Sequence, residues 1–173
     1  DALSGELPRY VDLAWEKSVG VNTDLQELEP AELAQVLKVL EQADFRWVRQ
    51  RFPWDAIERL PGEYDWSEWD RIVEGVASHG LELVAVLDGS PPWVRAEVDA
   101  GNSLAPPVDT REFGDFVTAF ATRFADRIDY YHIWDEPNIA PHWGAGEIDP
   151  AAYARFLREG SIRVRAADNN AKV

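Results

Sequence analysis

The sequence predicts an α/β domain of the parallel TIM-barrel type, carrying about four βα units: a half barrel, or a fragment of a (β/α)8 barrel. Three observations predict it. Short apolar strands alternate with amphipathic helices along the whole chain. One strand, Leu81 to Leu87, is almost continuously apolar, as a parallel strand covered on both faces must be. Two proline-containing polar loops follow strands, on the side where such sheets carry their ligand groups.

Taken in order, residues 1–17 read as a lead-in segment to a single domain spanning 1–173, and Ser18 to Asn22 as a first short strand. Pro30 stands at the first position of a helix whose Leu33, Val36, Leu37 and Leu40 recur at helical spacing and which ends near Ala43. Phe45 to Phe52 is a second strand, with Trp47, Arg49 and Arg51 on one face and Arg46, Val48 and Gln50 on the other. Pro61-Gly62 is a turn. Asp65 and Glu68 form a capping-box pattern ahead of Trp69, Ile72, Val73 and Val76, and Gly80 closes that helix in the left-handed conformation. The third strand, Leu81 to Leu87, ends in Asp88-Gly89.

The stretch Ser90 to Val108 holds four prolines and reads as a functional loop rather than a linker. Asp109 with Glu112 repeats the capping-box pattern, and Phe113, Phe116, Val117, Phe120, Ala121 and Phe124 trace one helical face. Tyr130 to Trp134 is the fourth strand. Pro137, directly behind Asp135-Glu136, has no N–H to donate and stops the ladder, which frees Glu136 to enter a cleft. A plain polar turn fits Asp135 to Asn138 about as well when Trp134 to Asn138 is taken alone. After a second loop, Asp149 caps a helix with Pro150 at its first position and Tyr153, Phe156, Leu157 and Val164 inward. Ala171-Lys172-Val173 begins a fifth strand.

Bulk properties narrow the function. The 173 residues are 46% hydrophobic and 28% charged, as expected of one ordinary domain with a core. A formal charge of −15 repels nucleic acid and anionic lipid and favours a neutral or cationic partner. With no cysteine there is neither a disulfide framework nor a thiolate metal site, and the compartment stays open. The longest apolar run is too short to cross a bilayer. No charged-then-apolar leader precedes Asp1, and the absence of methionine is expected of a chain trimmed from a longer one, with an export signal a candidate for the removed part. No glycine-rich phosphate loop follows any strand, which favours a barrel over a nucleotide-binding sheet. A full barrel needs about 250 residues, so four units leave two bare sheet edges, and self-association is expected.

Gly20-Val21-Asn22, Phe45-Arg46-Trp47-Val48-Arg49, Pro61-Gly62-Glu63-Tyr64-Asp65-Trp66, Leu87-Asp88 and Ile133-Trp134-Asp135-Glu136-Pro137-Asn138, in that order and spacing, resemble retaining glycoside hydrolases of clan A. Families 39 and the cellulase-like family 5 are the most similar in look, and the resemblance runs from about Ser18 to the last residue. It implies an O-glycosyl hydrolase acting on a glycoside, an oligosaccharide or a polysaccharide, with no cofactor and an extracellular or cell-surface location. In that clan the fourth strand ends in Asn-Glu-Pro, and the match makes Glu136 the general acid/base. A retaining enzyme sets a second carboxylate about 5 to 5.5 Å away as nucleophile. The resemblance places that residue on the seventh strand, beyond Val173, so the chain alone is expected to be inactive.

The chain departs from the pattern at Asp135, where the clan has an asparagine that donates to the sugar 2-hydroxyl; an ionised aspartate only accepts. That exchange keeps open a second reading, a catalytically disarmed carbohydrate-binding or scaffolding barrel. Arg49 matches a second-strand arginine that holds the nucleophile ionised, or else it binds a structural carboxylate. Asp88 accepts sugar hydroxyls or serves a turn. His142 and Trp143 offer a hydroxyl partner and a stacking platform, or pack the loop. Asn138 completes the candidate substrate-binding set. Trp54 and Trp93 are sugar platforms or, more in keeping with eight tryptophans, core, while Trp47, Trp66 and Trp69 are assigned to packing. His132 and His79 receive no role, and Glu136, His132 and His142 lack the spacing of a metal site.

Overall fold

The computed structural model describes residues 19–173. The lead-in segment and Ser18 lie outside the described residues. In chain order the elements are β1 (Gly20–Thr23), α1 (Pro30–Gln42), β2 (Trp47–Pro53), a single turn of helix α2 (Trp54–Ile57), β3 (Glu58–Leu60), β4 (Glu63–Tyr64), α3 (Ser67–Ser78), β5 (Glu82–Asp88), α4 (Thr110–Phe124), β6 (Tyr130–Ile133) and α5 (Pro150–Ala167). Four strands form one sheet in the order β1-β2-β5-β6, every pair parallel. This is half of a parallel barrel, with α1, α3, α4 and α5 as the crossovers. None of the described helices is long and apolar enough to cross a membrane.

Period-two alternation sorts each strand into two faces. On β2, Val48, Gln50 and Phe52 are buried beneath the helices, while Trp47, Arg49 and Arg51 lie half-buried on the face that looks toward the barrel axis. Gln50 is tolerated among apolar neighbours because its amide is fully used. Its oxygen accepts from the Leu25 N–H at 2.9 Å, and its nitrogen donates to Gln26 Oε1 and to the Arg51 carbonyl. The helix-side layer is aromatic: Phe113, Phe116, Phe120 and Phe124 are all fully buried on α4. Phe113 stacks on Phe156 of α5 at 4.4 Å, and Phe120 meets Phe52 edge-on at 4.9 Å.

Local signals resolve in three ways. Gly80 takes φ +66° as the left-handed cap of α3, and Asp149 caps α5 by accepting from the Ala151 N–H at 2.8 Å. Neither predicted capping box closes. Asp65 accepts instead from the N–H and hydroxyl of Ser67, while Glu68 is taken by Arg71. Asp109 does cap α4 through the Arg111 N–H, but without reciprocation from Glu112, and its carboxylate is gripped by the Arg111 side chain as well. A reciprocal box does form at α1, between Glu29 and Glu32. The hairpin β3-β4 about the Pro61-Gly62 turn is an addition to the predicted elements.

A single parallel bridge stands where the sequence places a fifth strand. Lys172 bridges Tyr130 in parallel, with the Tyr131 N–H donating to the Lys172 carbonyl at 2.9 Å and the Lys172 N–H to Asp129 at 2.8 Å. The β6 edge is thus partly covered by residues 171–173, and of the two edges expected to be bare, β1 is the more open.

Candidate active site

Along β6 the side chains alternate as a strand requires. Tyr130 meets Trp47 edge-on at 4.6 Å and His132 lies beside Arg49, so both face the barrel axis. Tyr131 and Ile133 face the helices, Tyr131 toward Phe120 and Ile133 against Gly160. Continued regularly, Trp134 would turn inward and Asp135 outward. The opposite is found. Trp134 has φ +64°, and its indole enters the helix layer against Phe156 at 5.3 Å and Phe113 at 5.9 Å. Asp135 is thereby delivered to the inner face, where its Oδ1 meets Arg49 Nη2 at 2.6 Å. Glu136 follows with φ +47°. Left-handed backbone at non-glycine residues costs roughly 1–3 kcal/mol each, and such strain concentrates at functional positions.

The inner face carries two ion pairs side by side. Arg49 holds Asp135 and also approaches His132 Nδ1 and Asn22 Oδ1, both at 3.4 Å. Arg51 Nε donates to Asp88 Oδ2 at 2.8 Å. Asp88 is almost wholly buried, and burial raises its carboxyl above the usual range, with Arg51 opposing and the charges of Asp135 and Asp55 adding to the rise. Its Oδ1 has no hydrogen-bond partner among the described residues. Burial, and secondarily the Arg49 charge, lowers the His132 imidazole below its ordinary 6.5, which keeps it neutral at pH 7. The neutral ring then accepts from Arg49 through Nδ1 and carries its hydrogen on Nε2.

Glu136 stands at the carboxyl end of the fourth barrel strand with 54% of its side chain exposed, and its Oε2 is 3.4 Å from His142 Nε2. His142 is held by its backbone, whose carbonyl accepts from Trp134 Nε1 at 2.7 Å. The structure therefore brings the predicted residues together as two contacts, Glu136 with His142 and Asp135 with Arg49, and places Asp88 on Arg51. Asn138 is exposed in the turn beyond Glu136. Trp143 packs edge-on against Trp134, Tyr153 and Phe156. Trp54 is core: it is fully buried, with Nε1 donating to Glu58. Trp93 lies against it at 5.6 Å.

Two inner-face residues were missed in the sequence, Arg51 and His132. Arg51 shares the alternation phase of Arg49, two positions before it, while His132 had no candidate residue in phase with it on the fourth strand. A depression of about 370 Å³ beside the β3-β4 hairpin, lined by Ile57, Arg59, Leu60, Glu63, Tyr64 and Asp65, includes none of these residues. The paired charges, not that depression, mark the site.

No family model matches the chain, and no curated protein sequence matches it either. Solved structures do. A family 39 glycoside hydrolase from Bacteroides cellulosilyticus WH2 superposes with a TM-score of 0.67 at 17% identity, covering 88% of this chain and 30% of its own. The GH39 enzyme from Xanthomonas axonopodis pv. citri gives 0.72 at 16% identity over 92% of this chain and 35% of its own. A GH5_18 protein from Streptomyces cattleya, solved with Manβ1-4GlcNAc, gives 0.65 at 13% identity over 85% and 39%. The chain spans about a third of the length of these structures. Its structural neighbours are glycoside hydrolases of families 39 and 5 in clan A, and its fold is a partial barrel of their kind.

Proposed function

We propose that this chain is part of a retaining O-glycosyl hydrolase in which Glu136 is the general acid/base and the nucleophilic carboxylate comes from outside residues 1–173. The observation that carries the reading is the delivery of Glu136, by left-handed backbone at Trp134 and at Glu136 itself, to the carboxyl end of the fourth strand of a barrel shared with glycoside hydrolases. In the first step the Glu136 carboxyl gives its proton to the glycosidic oxygen as the C–O bond breaks and the second carboxylate bonds to the anomeric carbon. In the second, Glu136 takes a proton from water, whose oxygen displaces that carboxylate. Asp135, ion-paired through Oδ1 to Arg49, retains Oδ2 as an acceptor for a sugar hydroxyl. His142 faces Glu136 from the loop, and Asp88 and Asn138 complete the proposed rim.

The substrate is a neutral or cationic sugar. Both inner-face arginines are already matched, Arg49 by Asp135 and Arg51 by Asp88, so neither guanidinium is free to receive a uronate or sulfate, and the charge of −15 repels one. Aryl glycosides offered to the full-length gene product test this. Neutral glycosides are expected to be cleaved and uronides not, and Glu136→Ala should slow cleavage roughly 10²–10⁴-fold. Undiminished turnover in that variant removes Glu136 from the mechanism. A full-length protein that binds sugars but cleaves none is a carbohydrate-binding barrel instead.

A further inference from the structure

The loop carrying His142, residues 137–148, is fastened to the loop that leaves the neighbouring strand β5. Asp99 Oδ1 accepts from the Ala145 N–H at 2.8 Å, and Asn102 Nδ2 donates to the Pro141 carbonyl at 2.9 Å. Between the two ties lies Gly144, buried, with φ +79°, so close to Asp99 that a Cβ built on it would stand 2.9 Å from Asp99 Oδ2. Glycine is needed there both for the backbone and for the approach of the carboxylate. The ties bracket His142, one at the residue before it and the other three residues after. Its carbonyl is fixed by Trp134 and its N–H by Ile139. The imidazole is held by little of its own: among the described residues Nε2 meets only Glu136, and Nδ1 is buried without a partner. Its place beside the acid is therefore set by the clamped backbone.

We propose that Asp99 is a positioning residue for Glu136, acting through Ala145 and His142. The inference rests on Glu136 being the acid/base. Asp99 binds the loop, the loop holds the imidazole, and the imidazole limits where the carboxyl can turn, which matters because proton transfer to a leaving group depends on aim.

The test is run on the full-length gene product. His142 is labelled with diethyl pyrocarbonate and followed by peptide mass spectrometry, with His79 and His132 as internal references, while the Glu136 side-chain carboxyl is followed by carbon-13 NMR. In Asp99→Ala, labelling of His142 should rise roughly threefold or more as the loop opens locally, with His132 unchanged, and the Glu136 resonance should move. Asp99→Asn, whose amide oxygen can still accept from Ala145, should restore both. Asn102→Ala, which removes the other tie, should shift both in the same direction by less. In a His142→Ala background the Glu136 resonance should no longer respond to Asp99→Ala, a result that a merely structural role would not give. Wild-type labelling and an unmoved resonance in Asp99→Ala overturn the proposal, as does an equal shift without His142. None of these readouts depends on glycoside cleavage, so a failure of the hydrolase reading registers separately, as undiminished turnover in Glu136→Ala.

Discussion

On β2, Val48, Gln50 and Phe52 pass beneath the helices and vanish from solvent, while Arg49 and Arg51, one residue away at each step, stand on the open face and hold carboxylates from just beyond β6 and from the end of β5. The helix-side face is held by area: aromatic rings from β2, α4 and α5 touch one another and exclude water. The axis-side face is held by direction, because its charged groups meet particular partners at set distances, Arg49 with Asp135, His132 and Asn22, and Arg51 with Asp88. Stability should therefore reside mostly in the first face and chemistry in the second, and substitutions on the two should separate these properties.

The largest effect is expected on the helix side. Phe113→Ala leaves a void among Phe116, Trp134 and Phe156, and should cost about 3–5 kcal/mol in urea unfolding. A loss below about 1 kcal/mol would mean that the aromatic layer collapses to fill the gap, and the contrast between faces would weaken. On the axis side, the Arg51–Asp88 pair should respond unequally to loss of its two members. Arg51→Ala strands a buried carboxylate and should cost about 3 kcal/mol, whereas Asp88→Asn leaves an arginine that reaches water and should cost about 1 kcal/mol. Equal costs would show that the burial of Asp88 is not what governs the pair.

The smallest effect is a pH dependence. His132 has a folded pKa below its ordinary 6.5, so its neutral form is favoured by folding. Its contribution is complete above pH 6.5 and is lost as pH falls below that value toward the folded pKa. His132→Gln should remove this part of the acid-side decline in melting temperature. Asp55 and Asp88, whose carboxyls are raised by burial, act in the opposite sense, so the measurement is the difference between wild type and variant. Parallel pH curves for the two proteins would show that Arg49 and burial do not bias this imidazole.

Much of this architecture was legible because periodicity reports burial. The phenylalanines of α4 at helical spacing, the apolar run of β5 and Pro150 behind Asp149 each carry one physical meaning, and each element formed. Capping was harder to read where a rival stood nearby: Ser67 and Arg111 compete for the carboxylates that Glu68 and Glu112 would have complemented. Strands of two and three residues, as in the β3-β4 hairpin, are too short to show a period. At the site, Glu136, Asp135 and Arg49 could be named one by one, but the bond between the last two could not, since nothing in a sequence states which carboxylate an arginine will meet. Nor does tryptophan carry a preference for left-handed backbone, so the reversal at Trp134 had no local sign.

That reversal also bears on how variants of this chain should be judged. A relative could retain both acids letter for letter and still turn Asp135 into the helix layer, if a β-branched residue at position 134 refused the left-handed turn and let the pleat run on. Comparing letters would score such a protein as intact. Only the handedness of one peptide unit would reveal that the first of its acids had changed sides.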